Sequence, residues 1–116
     1  MKTIKLRFAL VSVVLMISCN KSGDIRIQNK ITKVKIEDVK WGKFYLAYEL
    51  LPGETSEKTT IDEYDEKLPA SHKISFKMTA NNMMIFLETE ESYTLEEEGD
   101  LYIILTDETN VKNPNE

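Results

Sequence analysis

Cysteine and histidine are almost absent from this chain, which has one of each among 116 residues. A single thiol cannot close a disulfide within the chain, and one cysteine with one histidine cannot build a Cys- and His-rich zinc site. Catalysis by a nucleophile and a base would have to use the one imidazole, His72. These absences exclude disulfide scaffolds and zinc-finger-like modules.

Basic residues are also scarce, with 15 Lys and Arg against 20 Asp and Glu and a net charge of −5. Residues 20–51 hold seven basic and four acidic side chains, whereas residues 52–116 hold five basic and sixteen acidic ones. A phosphate-binding face needs clustered Lys or Arg. Nucleic acid is therefore not an expected partner.

The basic residues of the first half fall in or beside predicted strands. We interpret them as the solvent side of half-buried strands, where they also discourage edge-to-edge pairing. An alternative is that they face an anionic membrane surface. These residues are Lys30, Lys33, Lys35, Lys40 and Lys43.

No hydrophobic run is long enough to cross a bilayer permanently. The apolar stretch Phe8–Ser18 would rise about 16 Å as a helix, against about 30 Å of hydrocarbon. Lys2, Lys5 and Arg7 precede it, which gives the layout of a secretory signal. We therefore predict a cleaved signal helix over residues 1–18.

The residues Met16-Ile17-Ser18-Cys19 at the end of this run resemble a bacterial lipobox. The resemblance implies cleavage before Cys19 and acylation of its sulfur, with chains such as palmitate. Two or three acyl chains, at about 0.8 kcal/mol per methylene, hold a protein on a membrane lastingly. Because Asn20 rather than Asp follows, the resemblance implies the outer rather than the inner membrane, on either face. The alternative is an ordinary cleaved signal with an incidental cysteine.

The mature chain is predicted to be one small domain on a short tether. We assign residues 19–30 to the lipidated cysteine and a polar tether, residues 31–108 to a β domain and residues 109–116 to a polar tail. A mature chain of this length suffices for one modest core.

Alternation with period two is the main structural signal of the β domain. It is clear in KFYLAYEL (43–50) and HKISFKMT (72–79), and turn-favouring Pro, Gly and Asn residues lie between such stretches. This spacing predicts a mainly β fold, a small antiparallel β-sandwich. Residues 59–68 fit either a short helix, with Thr60 and Glu63 spaced as a capping box, or a polar loop.

Residues 92–105, SYTLEEEGDLYIIL, resemble the closing strands of an immunoglobulin-like domain. In this comparison Leu95, Gly99 and Tyr102 take the places of a strand leucine, a turn glycine and a corner tyrosine. The interval from Gly99 to Tyr102 is one residue longer than in the family pattern, and Trp41 precedes its predicted strand. The resemblance implies an immunoglobulin-like sandwich.

Two acidic clusters, Asp62–Glu66 and Glu96–Asp100, could offer oxygen ligands to Ca²⁺. Neither contains the Asp-x-Asp-x-Asp-Gly run of a dedicated calcium loop. We interpret both clusters as solvated turns and predict no metal site and no cofactor.

Catalytic motifs are missing around the single histidine. His72 begins a predicted strand beside Ser71 and near Ser75, but residues one or three apart on a strand point to opposite faces. The chain also lacks a hydrolase elbow and a phosphate-binding glycine loop. We predict that it is not an enzyme and has no catalytic residues.

These inferences predict a non-catalytic, envelope-tethered lipoprotein that binds a protein or a glycan. The alternative is a periplasmic inhibitor or immunity lipoprotein whose acidic half neutralises a basic toxin or lytic enzyme. The stretch MMIFL (Met83–Leu87) is compatible with an exposed edge for strand addition, although we interpret it as a buried central strand.

Overall fold

Two β-sheets make up the part of the chain that the computed structural model describes, residues 21–115. The predicted signal segment 1–18 and Cys19 lie outside the described residues. The three-stranded sheet has the order β4-β1-β7 and the five-stranded sheet the order β3-β2-β5-β6-β8. The strands are β1 (Ser22–Lys30), β2 (Ile36–Trp41), β3 (Phe44–Leu50), β4 (Thr59–Asp62), β5 (Ala70–Ala80), β6 (Met83–Leu95), β7 (Asp100–Thr106) and β8 (Val111–Lys112).

The sheets pack face to face around one apolar core, so the predicted mainly β sandwich is confirmed. Period-two alternation places every second side chain of a strand in this core. Fully burying one large aliphatic or aromatic side chain stabilises the fold by about 1.5–3 kcal/mol. The buried residues include Ile25, Ile27, Ile36, Val39, Trp41, Leu46, Leu50, Ile61, Ile74, Phe76, Leu95, Ile103 and Leu105.

One strand pair departs from the predicted antiparallel arrangement. β1 lies at the centre of its sheet, antiparallel to β4 but parallel to β7. In the parallel pair, Asp24 lies beside Asp100 and Lys30 beside Thr106. The first and last long strands of residues 21–115 are therefore neighbours.

The tether predicted over residues 19–30 is wrong from Ser22 onward. Ser22–Lys30 forms β1, whose burial alternates along its length. Ile25 and Ile27 are fully buried, so this segment supplies core side chains that a solvated tether would leave exposed.

Residues 59–68, which fit either a short helix or a polar loop in sequence, contain no helix. β4 covers Thr59–Asp62, and its β-branched residues favour a strand. A turn follows, in which Asp62 Oδ1 accepts hydrogen bonds from the N–H groups of Tyr64 (2.9 Å) and Asp65 (3.1 Å). Tyr64, which would lie on the apolar face of such a helix, is 89% exposed, so this face would have nothing to pack against.

The polar tail predicted over residues 109–116 contributes to a sheet. β8 pairs with Glu88 and Thr89 of β6. Val111 packs against the core, which gives this short strand an apolar contact. Pro114 has no N–H with which to extend the ladder.

The two ends of the sandwich carry different loops. The N-terminal end holds the start of β1, the β2–β3 turn at Gly42, the β4–β5 loop and the β6–β7 turn, and Glu98 N–H donates to the Ser22 carbonyl there (2.6 Å). The hairpin end holds the β5–β6 turn and the β1–β2, β3–β4 and β7–β8 loops, and Thr32 N–H donates to Asp107 Oδ1 there (2.8 Å). β1 separates the two ends by about 26 Å.

Candidate interaction surface

The β5–β6 hairpin closes at the hairpin end with a two-residue turn. Ala80 and Met83 are cross-strand partners, which leaves Asn81 and Asn82 as the turn residues. Their φ angles are +53° and +63°. Positive φ at both central residues is the type I′ pattern, which asparagine tolerates well.

The β6 side of this hairpin exposes apolar side chains. Met83, Met84 and Phe86 are 67%, 47% and 50% exposed. β2 begins opposite Met78, so Met83 and Met84 project beyond this neighbouring strand. Phe86 is level with β2 and is exposed because it lies on the outer face of the sheet beside Lys77. The interpretation of Met83–Leu87 as a buried central strand is therefore wrong for these three side chains.

The outer edge of β6 is open over the same residues. β5 pairs with β6 on one side as far as Met83, whereas β8 on the other side pairs only with Glu88 and Thr89. Within residues 21–115, no strand pairs with Met83–Leu87 on the β8 side. Unpaired N–H and C=O groups along an edge can template pairing with another chain.

An apolar groove of about 280 Å³ lies between the two sheets beside this edge. Polar groups of Thr106, Asp107 and Thr109 line its rim. Side chains from both sheets form its apolar floor. These are Ile31, Phe76, Met78, Leu87, Leu105 and Val111.

The outer face of the five-stranded sheet is more polar than the edge. Lys77 Nζ lies 2.6 Å from Asp38 Oδ2 and 5.5 Å from the centre of the Phe86 ring. The hydrogen bond to Asp38 raises the pKa of Lys77. Further across the sheet, the rings of Tyr45 and Tyr48 stack with centroids 4.9 Å apart. Several polar and aromatic side chains on this face are thus engaged with one another.

Both acidic clusters lie at the N-terminal end. Asp62–Glu66 follows β4, and Glu96–Asp100 joins β6 to β7. Lys21 Nζ lies 3.8 Å from Glu97 Oε1. Among the described residues, no group of three His, Cys, Asp or Glu side chains is arranged to hold a metal ion. The clusters make this end the acidic end of the molecule.

His72 lies at the N-terminal end, where it packs against the core. Its Nε2 is 2.8 Å from both carboxylate oxygens of Glu66. Its ring meets Trp41 edge-on, with centroids 4.6 Å apart. Within the described part of the chain, neither Ser71 nor Ser75 hydrogen-bonds to this ring. The imidazole joins the β4–β5 loop to the core.

The lysines of the first half are divided between the two ends. Lys30, Lys33 and Lys35 lie at the hairpin end, whereas Lys43 follows the turn at the N-terminal end. Lys30, the last residue of β1, is about 26 Å from Ser22, and Lys33 and Lys35 follow it in the β1–β2 loop. A membrane contact beside the predicted anchor therefore does not fit these three residues.

The residues that resemble an immunoglobulin-like corner occupy three environments. Leu95 is fully buried and Gly99 lies in the β6–β7 turn. Tyr102 is half-exposed, and its hydroxyl lies 3.3 Å from Gln28 Oε1 and 3.3 Å from Thr55 Oγ1. Tyr102 thus links β7 to β1 and to the β3–β4 loop.

Comparison with protein-family models, curated proteins and solved structures finds no match for this chain. Residues 21–115 contain no helix, and so no helix with the length and apolarity needed to cross a bilayer.

Proposed function

We propose that this chain is a lipid-anchored protein of the bacterial envelope that binds a partner protein, without catalysis, at its hairpin end. Acylated Cys19 is the anchor, and the outer membrane is the expected location. The supporting observation is that β1 begins just after the predicted anchor, while the exposed apolar hairpin lies at the opposite end.

A short link joins the anchor to the domain. Two residues separate Cys19 from Ser22, the first residue of β1, so the link spans at most about 11 Å. Leu95 packs beside Gly23 at this end. β6 runs from Leu95 to Met83, a distance of about 35–40 Å. An acylated Cys19 therefore holds the N-terminal end near the bilayer and presents the hairpin away from it.

The composition of the hairpin supports a binding role. Met78–Leu87 is the longest uncharged run within residues 21–115, in a chain of which 30% is charged. Contiguous exposed apolar surface on a soluble domain marks interaction sites, whereas single exposed apolar residues are common. Met84 and Phe86, two residues apart on β6, share the outer face of the sheet, and Met83 is exposed on the opposite face beside the turn.

Inhibition of a basic toxin or lytic enzyme is a second candidate. A polar groove of about 280 Å³ is lined by Glu91, Tyr93 and Glu108, among others. Burial, aided by the Glu91 carboxylate, raises the pKa of Tyr93. Carboxylates along a groove complement a cationic partner. A toxin gene beside the gene for this chain would favour this candidate.

Acyl labelling and site-specific photo-crosslinking in cells test the proposal. The full-length protein carries a photo-crosslinking amino acid at Met84 or, as the control at the other end, at Glu97. We expect an alkynyl fatty acid to label the wild type and not Cys19→Ser, which leaves the membrane fraction. A crosslink to one partner protein is expected from position 84 only. Two results would contradict the proposal. One is a wild type that takes up no label together with a Cys19→Ser variant that stays in the membrane fraction, and the other is equal crosslinking from positions 84 and 97.

A further inference from the structure

We propose that the hairpin end binds an extended, positively charged peptide segment of its partner by β-strand addition to the open edge of β6. This inference rests on the proposed function for the existence of a partner. The open edge, the groove and the carboxylates from which we infer the bound segment are features of residues 21–115 and do not depend on the anchor.

The open edge follows from how β8 ends. The ladder between β8 and β6 stops before Leu87, because Pro114 has no N–H to donate. Asn113 Oδ1 then accepts a hydrogen bond from Asn115 N–H (2.9 Å), which forms a turn. Pro114 lines a small pocket with Phe86 and Leu87, and the backbone beyond it, from Ile85 to the turn, is unpaired on this side and can accept an added strand.

The groove provides the contact for side chains. Alternate residues of an added strand point to opposite faces of the sheet. Ile85 pairs with Met78 and Leu87 with Phe76, and cross-strand partners share one face, so these residues mark the groove side of β6. A groove of about 280 Å³ is small for a drug-like ligand but has room for one or two apolar side chains. Every second residue of the partner segment is therefore apolar.

The groove rim and the surrounding charge select a cationic segment. Asp107 lies on the rim, and hydrogen bonds from Thr32 Oγ1 (2.6 Å) and Thr32 N–H (2.8 Å) lower the pKa of its carboxyl. Glu108 follows it in the chain, and Glu88 is the next residue of β6 after the open stretch Met83–Leu87. Lys or Arg beside the apolar residues complements this field, whereas an acidic strand is repelled.

The same observations disfavour other occupants of the edge. A second copy of the chain joined through the same edge would bring the same carboxylates, Glu88, Asp107 and Glu108, to the interface. A glycan or an acyl chain offers no regular row of backbone donors and acceptors, so it would leave the edge unpaired. β-Strand addition uses both the backbone hydrogen bonds and the side-chain pockets.

Peptide binding to the full-length protein in mild detergent tests this inference. The probe is a pool of synthetic heptapeptides in which Val, Ile, Leu or Phe alternates with Lys, Arg or Thr, read by fluorescence anisotropy. Members of the pool should bind, and alternate backbone N-methylation should weaken them at least about tenfold. Replacing Lys and Arg by Glu should abolish binding.

Two variants of the hairpin separate edge pairing from general charge effects. Met84→Lys places a charge on the open edge and should weaken binding at least about tenfold. Thr79→Lys is the matched control, because Thr79 is the cross-strand partner of Met84 on β5 and lies off the edge. It should change binding less than about twofold. Circular dichroism checks that both variants stay folded.

Several outcomes would overturn the inference. These are no binding by any member of the pool, binding that tolerates N-methylation, equal losses in Met84→Lys and Thr79→Lys, or equal binding of the Glu pool. A concentration-dependent dimer that Met84→Lys abolishes would assign the edge to a second copy and would also overturn it.

The test is separable from that of the proposed function. Cys19→Ser should bind the pool as the wild type does. Loss of pool binding while the crosslink from position 84 persists would remove strand addition and keep the tethered binding protein. Loss of acyl labelling with intact pool binding would remove the lipid anchor and keep strand addition at the edge of β6.

Discussion

The two ends of the sandwich differ in the burial of their aromatic residues. At the N-terminal end Trp41 is fully buried, its Nε1–H donates to the Tyr93 carbonyl (2.9 Å), and His72 packs against its ring. At the hairpin end Phe86 is half-exposed on a strand with one open edge. Stability in proteins is unevenly distributed, and binding elements come from the less stable regions. We therefore expect the N-terminal end to contribute more to stability than the hairpin end, where the proposed binding surface lies.

The largest expected effect comes from removing an aromatic ring at each end. Trp41→Ala should lower the free energy of unfolding by about 3–5 kcal/mol, because it leaves a cavity and an unpaired Tyr93 carbonyl. Phe86→Ala should cost less than about 1 kcal/mol, since much of that ring is already in water. Urea denaturation followed by circular dichroism measures both. Equal losses would remove the distinction between the ends.

A pair of glycines gives the next largest contrast. Gly42 has φ +60°, and a Cβ there would lie 2.7 Å from His72 Cγ, whereas Gly53 at the hairpin end has φ +87° and open space around it. Gly53→Ala should cost about 1–2 kcal/mol through backbone strain alone. Gly42→Ala should cost about 1–3 kcal/mol more, because the imidazole must also move.

The same denaturation experiment checks the glycine pair. In a His72→Ala background, Gly42→Ala should lower the free energy of unfolding only by about as much as Gly53→Ala does in the wild type, because the contact with the ring is gone. An additional loss that survives in this double variant would show that packing at the N-terminal end is not its cause.

The smallest expected effect is a pH dependence at the hairpin end. Hydrogen bonds from Thr32 lower the pKa of Asp107, so the ionised form is favoured in the folded state. This stabilisation is present above the ordinary Asp pKa and is lost as the pH falls through the lowered value. Asp107→Asn should lower the urea midpoint slightly at neutral pH, and the difference should vanish as the pH falls through the lowered pKa of Asp107. A difference that is independent of pH would point to lost packing instead.

Local pattern was sufficient to predict most of the strands. Period-two alternation and turn residues gave the sandwich, because burial on one face of a strand demands that pattern. The same alternation at Ile25 and Ile27 was visible in the segment treated as a tether. Of the two alternatives for residues 59–68, the helix does not form, because a spacing of three and four residues stabilises a helix only where it has a surface to pack on.

The candidate surface needed more than the pattern. The uncharged run Met78–Leu87 and the proline at position 114 were both readable in the sequence. Neither shows by itself that β8 stops short of Leu87 or that the hairpin extends beyond β2. Nothing in the sequence around Asp107 indicated a role for it, because that role depends on its position beside a groove formed by two sheets.

The sequence alone determined that this chain forms strands around a modest apolar core, and its charge disfavours nucleic acid, because hydrophobic alternation and net charge are local or additive properties. Only the tertiary structure decided which strands are neighbours, that β1 joins the core beside β7, and that the acidic turns and the apolar hairpin lie at opposite ends. These features depend on pairings between residues far apart in the chain, and no single segment encodes such a pairing by itself.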